Sequence, residues 1–385
     1  MKRLFIAFGL LLTLLPELAS AQVTHFGLNY PLVGRGVRPL GMGNAFLTMK
    51  GTDQNTIFYN PAAIADYSNE VTLFTEIPPG FEFNYGTINL IRDVFNFKDD
   101  LDKQTTDSGK TDVFRNFVNS HMGEFHDIGI HFPIIGAYNR YFYATLINDD
   151  QFAISFRNRA FPNFEIRSYN VAGVQVGSAY KFLEDTLSVG AAVKGLYGVA
   201  NDAIVTTNDI LINNFDDFKW NNWKRGLGVG FDLGVKYDIP DFGMDWLDTI
   251  RPSVAVTYQN IGNTKFRWMK KNGGPDDLPQ SVSAGMGIYP TLGAVKTALL
   301  VDIREINVRE DFLLKLNAGA EAIFPSVFLF KPSLRAGVNQ GYPTVGGGLE
   351  IGFFTWNLAF FGKEMGQYTR EKAGYRLASE FVWSF

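Results

Sequence analysis

Polar and apolar positions alternate with a period of two along the last stretch of the chain. Tyr375, Leu377, Ser379, Phe381 and Trp383 fall on one face, and Arg376, Ala378, Glu380, Val382 and Ser384 on the other. Successive strand side chains point to opposite sides, so this is a strand with one aromatic and aliphatic face, ending in Phe385. The pattern recurs upstream. Leu187, Val189, Ala191, Val193 and Tyr197 oppose Ser188, Gly190, Ala192, Lys194 and Gly198. Leu227, Val229, Phe231, Leu233, Val235 and Tyr237 oppose Gly228, Gly230, Asp232, Gly234, Lys236 and Asp238.

One face is thus continuously apolar, and the other small or singly charged. A soluble sandwich would put bulky residues inside and polar ones outside, and a small soluble barrel would fill its interior with bulky side chains. Lipid outside and water or a plug inside fit better. The expected fold is all-β: a transmembrane antiparallel β-barrel of about 14 strands with an N-terminal lumenal hatch. Counting back from the end places strands near 375–385, 355–362, 344–353, 328–338, 310–321, 296–304, 279–289, 249–261, 225–238, 186–199, 164–181, 151–158, 139–147 and 126–135. A further pair near 71–77 and 82–90 would raise the count to sixteen. An even number leaves both termini on one side, which makes 200–224, 262–278 and 362–374 outer loops.

The other segments read differently. Lys2-Arg3, an apolar run from Leu4 to Leu15 and Ala19-Ser20-Ala21 form a secretory signal over 1–21, because the run is too short to span a bilayer. Residues 22–69 are rich in Gly, Pro and Asn, and Asn60-Pro61 can cap and open a helical turn; this is the expected hatch. Residues 70–124 combine a first strand region with a polar insertion. Its Val94, Phe95, Phe97, Val113, Phe114, Phe117 and Val118 are spaced for short amphipathic helices. The main barrel is expected over 125–385.

Composition narrows the class. With 46% apolar residues, 35 Phe, 16 Tyr and 39 Gly, and no long uncharged apolar run after the signal, the membrane span hides in alternation. The chain has no cysteine, and its net charge is −4. No basic patch points to nucleic acid, and no cofactor is expected. The expected location is the outer membrane of a Gram-negative cell, as a multi-pass barrel in contact with its lipid. Phe381, Trp383 and Phe385 would be the C-terminal signal for the barrel assembly machinery.

Arg38-Pro39-Leu40-Gly41-Met42-Gly43-Asn44-Ala45-Phe46, followed by Phe58-Tyr59-Asn60-Pro61-Ala62, resembles the start of the outer-membrane transport superfamily typified by long-chain fatty-acid and aromatic-hydrocarbon channels. That superfamily includes secretion-system shuttle relatives. Arg335 to Pro343 resembles a late hairpin of several relatives. The resemblance implies a barrel closed by a hatch that carries the Asn60-Pro61-Ala62 turn. The chain departs from the pattern at Ala63, where relatives have glycine, at Thr52 to Thr56, which lacks the usual alanines, and in the polar insertion.

No catalytic motif stands out. Ser281 and Ser283 lie outside any G-x-S-x-G elbow, and P-loop and dinucleotide fingerprints are absent, so no enzyme activity is expected. His121, His126 and His131 sit five apart, a spacing that does not align them on a helix and puts 121 and 131 too far apart for a strand clamp, and no metal site is assigned. Lys194, Lys236, Arg335 and Arg376 lie on the non-lipid face. They could meet a ligand carboxylate, or pair with Asp232, Glu350 or Glu380. The leading function is passive uptake of hydrophobic or amphipathic small molecules such as fatty acids. The alternative is a shuttle or interaction scaffold for secreted or surface proteins.

Overall fold

A computed structural model describes residues 36–385 except 52, 85, 132–134, 158–160, 212–221, 366–369 and 371–372. The signal segment and His25 lie outside the described residues, as do Asp216, Asp217 and Trp220. The strands form one closed antiparallel sheet of fourteen. In chain order they are β1 (Thr72–Glu76 and Gly80–Asn84), β2 (Phe125–His131 and Ile135–Tyr138), β3 (Phe142–Arg157), β4 (Asn163–Phe182) and β5 (Leu187–Thr206). Then come β6 (Lys224–Asp238), β7 (Ser253–Gln259 and Lys265–Lys271), β8 (Ser281–Ile288 and Thr291–Leu292), β9 (Val295–Ile303) and β10 (Leu316–Ile323). The last four are β11 (Phe330–Asn339), β12 (Tyr342–Ile351), β13 (Phe354–Glu364) and β14 (Ala373–Ser384).

Each strand pairs with its chain neighbours, and β1 closes the ring against β14. Phe74 stands opposite Ser384, and Asn84 opposite Arg376. Closure leaves the sheet without a free edge strand, which a sheet in lipid requires. The strand count agrees with the sequence, but two of its components do not. The segments near 139–147 and 151–158 are one strand, β3, because Asn148-Asp149-Asp150 continues the ladder into β4 without a turn. The two stretches near 71–77 and 82–90 are halves of a single strand, split at Ile77-Pro78-Pro79, where proline removes ladder donors. That strand stops at Asn84, and Thr87 already lies in a helix.

The alternation marks the two faces. In β6, Phe231 and Leu233 are exposed, while Gly230, Asp232, Gly234 and Lys236 are buried. In β14 the face of Arg376, Ala378, Glu380 and Val382 is buried, and Tyr375 lies on the exposed side. Leu146, Val174, Leu299, Leu334, Val345 and Phe360 continue the exposed apolar belt on other strands, as the outer wall of a transmembrane barrel requires. No described helix is long and apolar enough to cross a membrane.

Connections are longest at the end away from the termini. The longest runs from β1 to β2 and contains helices Thr87–Asp102 and Asp107–Ser120. Phe97 stacks on Phe117 at 4.5 Å. Phe114 and Val118 are fully buried with Leu90 against Phe156 of β3 and Val205 of β5. The helix pair therefore rests on the ends of β3 and β5, with β4 paired between them. Its spacing of apolar residues was legible in the sequence; its seat was not.

Candidate functional site

The largest buried cluster joins the N-terminal segment to the wall. Met42, Phe46, Leu47, Ile57, Phe58, Tyr59 and Ile64 pack with Tyr143, Leu196, Phe266, Tyr289 and Leu300. Segment 36–67 is folded locally as helix Val37–Gly41, helix Thr56–Tyr59 and a 3-10 turn over Pro61–Asp66. As its sequence suggests, Asn60 caps that last turn: its Oδ1 accepts from Ala62 N at 2.9 Å. Its Nδ2 donates to Leu47 O at 2.9 Å, tying the two halves of the segment together.

Close approach explains the glycines on the buried face. A Cβ at Gly190 would lie 2.5 Å from the Pro61 backbone, and one at Gly234 would lie 2.1 Å from Asn60 Oδ1. On another part of the ring, a Cβ at Gly319 would lie 2.0 Å from Met42 O. Gly43 has φ +64°, a conformation glycine adopts without strain, and its N donates to Thr344 Oγ1 at 3.0 Å. Pro39 and Gly41 belong to the first helix, whose Val37 and Leu40 pack on Ala359, Phe361 and Ala378.

Charged residues fasten the segment at three places. Arg38 donates to Glu321 of β10 at 2.8 and 2.5 Å and to Asp53 at 2.7 Å. Arg335 of β11 reaches the same Glu321 at 2.7 Å and Asn357 Oδ1 at 2.8 Å. Asn357 donates to Glu380 at 2.9 Å, and Glu380 accepts Val37 N at 2.8 Å. The network therefore begins and ends on the first helix. Desolvation opposes the Arg38 charge, but Glu321 and Asp53 outweigh it and hold its pKa above the ordinary arginine value.

At the second place, Asp302 of β9 accepts Phe46 N at 2.6 Å and Leu47 N at 3.0 Å. Nearby, Arg304 donates to Asn44 O at 3.1 Å and lies 4.7 Å over the Tyr59 ring. At the third, Asp66 is paired with Lys236 and, at 2.9 Å, with Lys181. Burial pushes the Asp66 carboxyl up, yet the Lys236 and Lys181 ammonium groups hold it below its ordinary value. Gln259 of β7 adds a bond from Nε2 to Phe58 O at 2.8 Å.

All four cations singled out from sequence are buried and engaged. Lys194 pairs with Asp232 at 2.8 Å, Lys236 with Asp66 and Asp238, Arg335 with Glu321, and Arg376 with Glu82 and Asp127. Asp232 is the partner expected of it. Glu350 and Glu380 are not: Glu350 pairs with Lys331 nearer the rim, and Glu380 serves Val37 and Asn357. Glu321, Asp302 and Asp66 were missed. Each is a carboxylate without a visible partner until the segment is in place. No metal site was assigned from the histidine spacing, yet His121 and His126 converge on Glu124, and His131 is not part of that group.

No protein-family model matches the chain, and no curated protein does. Among solved structures the fold is similar to the CymD monoaromatic hydrocarbon channel, with a TM-score of 0.50 at 10% identity over 92% of this chain and 98% of that one. It is also similar to a deltaS2S3 mutant of the TodX monoaromatic hydrocarbon channel, with a TM-score of 0.53 at 10% identity over 92% of this chain and 99% of that one. The likeness is one of fold.

Proposed function

We propose that this chain is an outer-membrane channel for passive uptake of hydrophobic or amphipathic small molecules, with segment 36–67 as a hatch across the lumen. The carrying observation is the ring of attachments. The segment bonds to or packs against residues of β5 to β14, among them Gly190, Lys236, Gln259, Asp302, Glu321, Arg335, Thr344 and Glu380. A barrel so filled is a poor open pore for ions, whereas the apolar cluster around Phe46, Phe58 and Tyr59 suits an apolar solute. The fold is shared with channels named for monoaromatic hydrocarbons, which supports the same class of cargo here.

The test has two arms. In planar bilayers, deletion of residues 36–67 should convert a nearly silent barrel into a strongly conducting one. In cells lacking other uptake barrels, the intact chain should speed entry of labelled oleate or toluene through the outer membrane. A deletion that conducts no better than the intact chain refutes the hatch; entry at the background rate for both compounds refutes the cargo class.

One observation favours a protein partner. Ile88, Ile91, Val94 and Phe95 of helix Thr87–Asp102 are exposed at the long-loop end of the barrel, at spacings that place them on one side of a helix. A secreted or surface protein held there would be recovered by crosslinking in intact membranes, and would be lost on Phe95→Glu.

A further inference from the structure

Helix Asp107–Ser120 ends at His121, and the chain reverses at once. Gly123 has φ +81°, and Glu124 N donates to His121 O at 2.9 Å. The reversal folds Glu124 back between two imidazoles, the second being His126 on β2. Glu124 Oε2 is 2.8 Å from His121 Nδ1 and 2.9 Å from His126 Nε2. One ligand atom from each residue lies within 4.8 Å of the others.

The surroundings fix these groups. His121 and His126 are 7% and 5% exposed. The His121 ring sits 5.0 Å from Phe117 and 5.1 Å from Phe156, and the His126 ring lies 6.1 Å from Phe156. Behind His121, its Nε2 lies 3.7 Å from Asp93 Oδ2. This is an ion-pair distance and not a hydrogen bond; it places a carboxylate at the far ring nitrogen, where one commonly stands behind histidines that bind metals. The cluster and Asp93 line a cavity of about 550 Å³, together with Asn84, Asn89, Arg92, Ser120 and Gly374.

We propose that His121, Glu124 and His126 bind one divalent transition-metal cation of the zinc type, with the cavity providing the open coordination position. Two imidazoles and one carboxylate suit zinc, and suit calcium or magnesium poorly, since those take all-oxygen sets. Bonds of about 2.0–2.2 Å in tetrahedral geometry separate donor atoms by about 3.3 Å, so the two imidazole contacts to Glu124 would lengthen slightly. The ion would pin the end of the helix pair to the start of β2 at the outer mouth. The rival arrangement is a carboxylate that merely accepts two imidazole N–H bonds. The site does not depend on the transport proposal.

The untagged mature chain, folded in detergent and stripped with a chelator, is titrated with Zn²⁺ by calorimetry and with Co²⁺ by visible absorption. The expected result is one equivalent bound and cobalt bands of a four- or five-coordinate site. His121→Ala with His126→Ala should abolish both signals, and His131→Ala should change neither. Asp93→Asn, which leaves all three ligands in place, should weaken zinc binding by about 10–100-fold. This milder variant decides the matter if the double variant fails to fold. Absence of saturable zinc binding, or binding unchanged in the double variant or in Asp93→Asn, overturns the site in favour of a hydrogen-bonded cluster.

Discussion

Arg38 and Glu321, 283 positions apart, meet through two hydrogen bonds of 2.8 and 2.5 Å. The paired geometry matches the planar guanidinium to the carboxylate. It also joins the N-terminal segment to a strand made late in the chain. Two arginines share this carboxylate, and Asp53 supplies the second negative charge, so the buried group is close to neutral.

Removing one member of such a group leaves the rest uncompensated, at a cost of about 3–5 kcal/mol. Arg38→Ala should therefore loosen the segment while the barrel persists. Planar-bilayer recordings should show frequent openings, and protease should reach residues 36–67. A variant as silent and as protected as the wild type would mean that the network does not hold the segment.

Neighbouring positions on β10 should respond differently to added bulk. A side chain at Gly319 meets the Met42 carbonyl, a backbone atom that cannot rotate away, and overpacking of this kind costs about 1–3 kcal/mol. Gly319→Val should raise conductance. Ala320→Val, on the opposite face of the strand, should leave conductance at the wild-type level.

Acid should weaken the attachment at Asp66. Its pKa is lower in the folded protein than in the free chain, so the unfolded state binds more protons as the pH falls. The stabilisation is complete above the ordinary carboxylate range and is lost as the pH drops through the lowered folded value. Asp66→Asn should remove that share of the acid sensitivity. Conductance recorded from neutral pH to below pH 4 is the measurement, with about pH 4 the ordinary aspartate value.

The lipid belt can be tested at Phe231, half exposed on β6. Phe231→Arg should destabilise the barrel by about 2–4 kcal/mol if the site lies at the bilayer midplane, and by less toward the interfaces. Urea titrations of vesicle-inserted protein measure this. Unchanged stability would place Phe231 outside the hydrocarbon.

Alternation along single strands was enough to assign the lipid and buried faces, because a period of two is a local property of the chain; the count of fourteen agreed because one strand read as two offset one left out. The Asn60-Pro61 turn was equally local. Strand continuity was not: whether Asn148 to Asp150 turns or continues depends on the partner β4, whose far length supports it. Nor could the sequence pair Arg38 with Glu321, or fold Glu124 between His121 and His126. A charge on the buried face shows only that a partner is needed. Which partner it finds depends on the curvature of the closed sheet and on the segment packed against it, and both exist only once distant parts of the chain have come together.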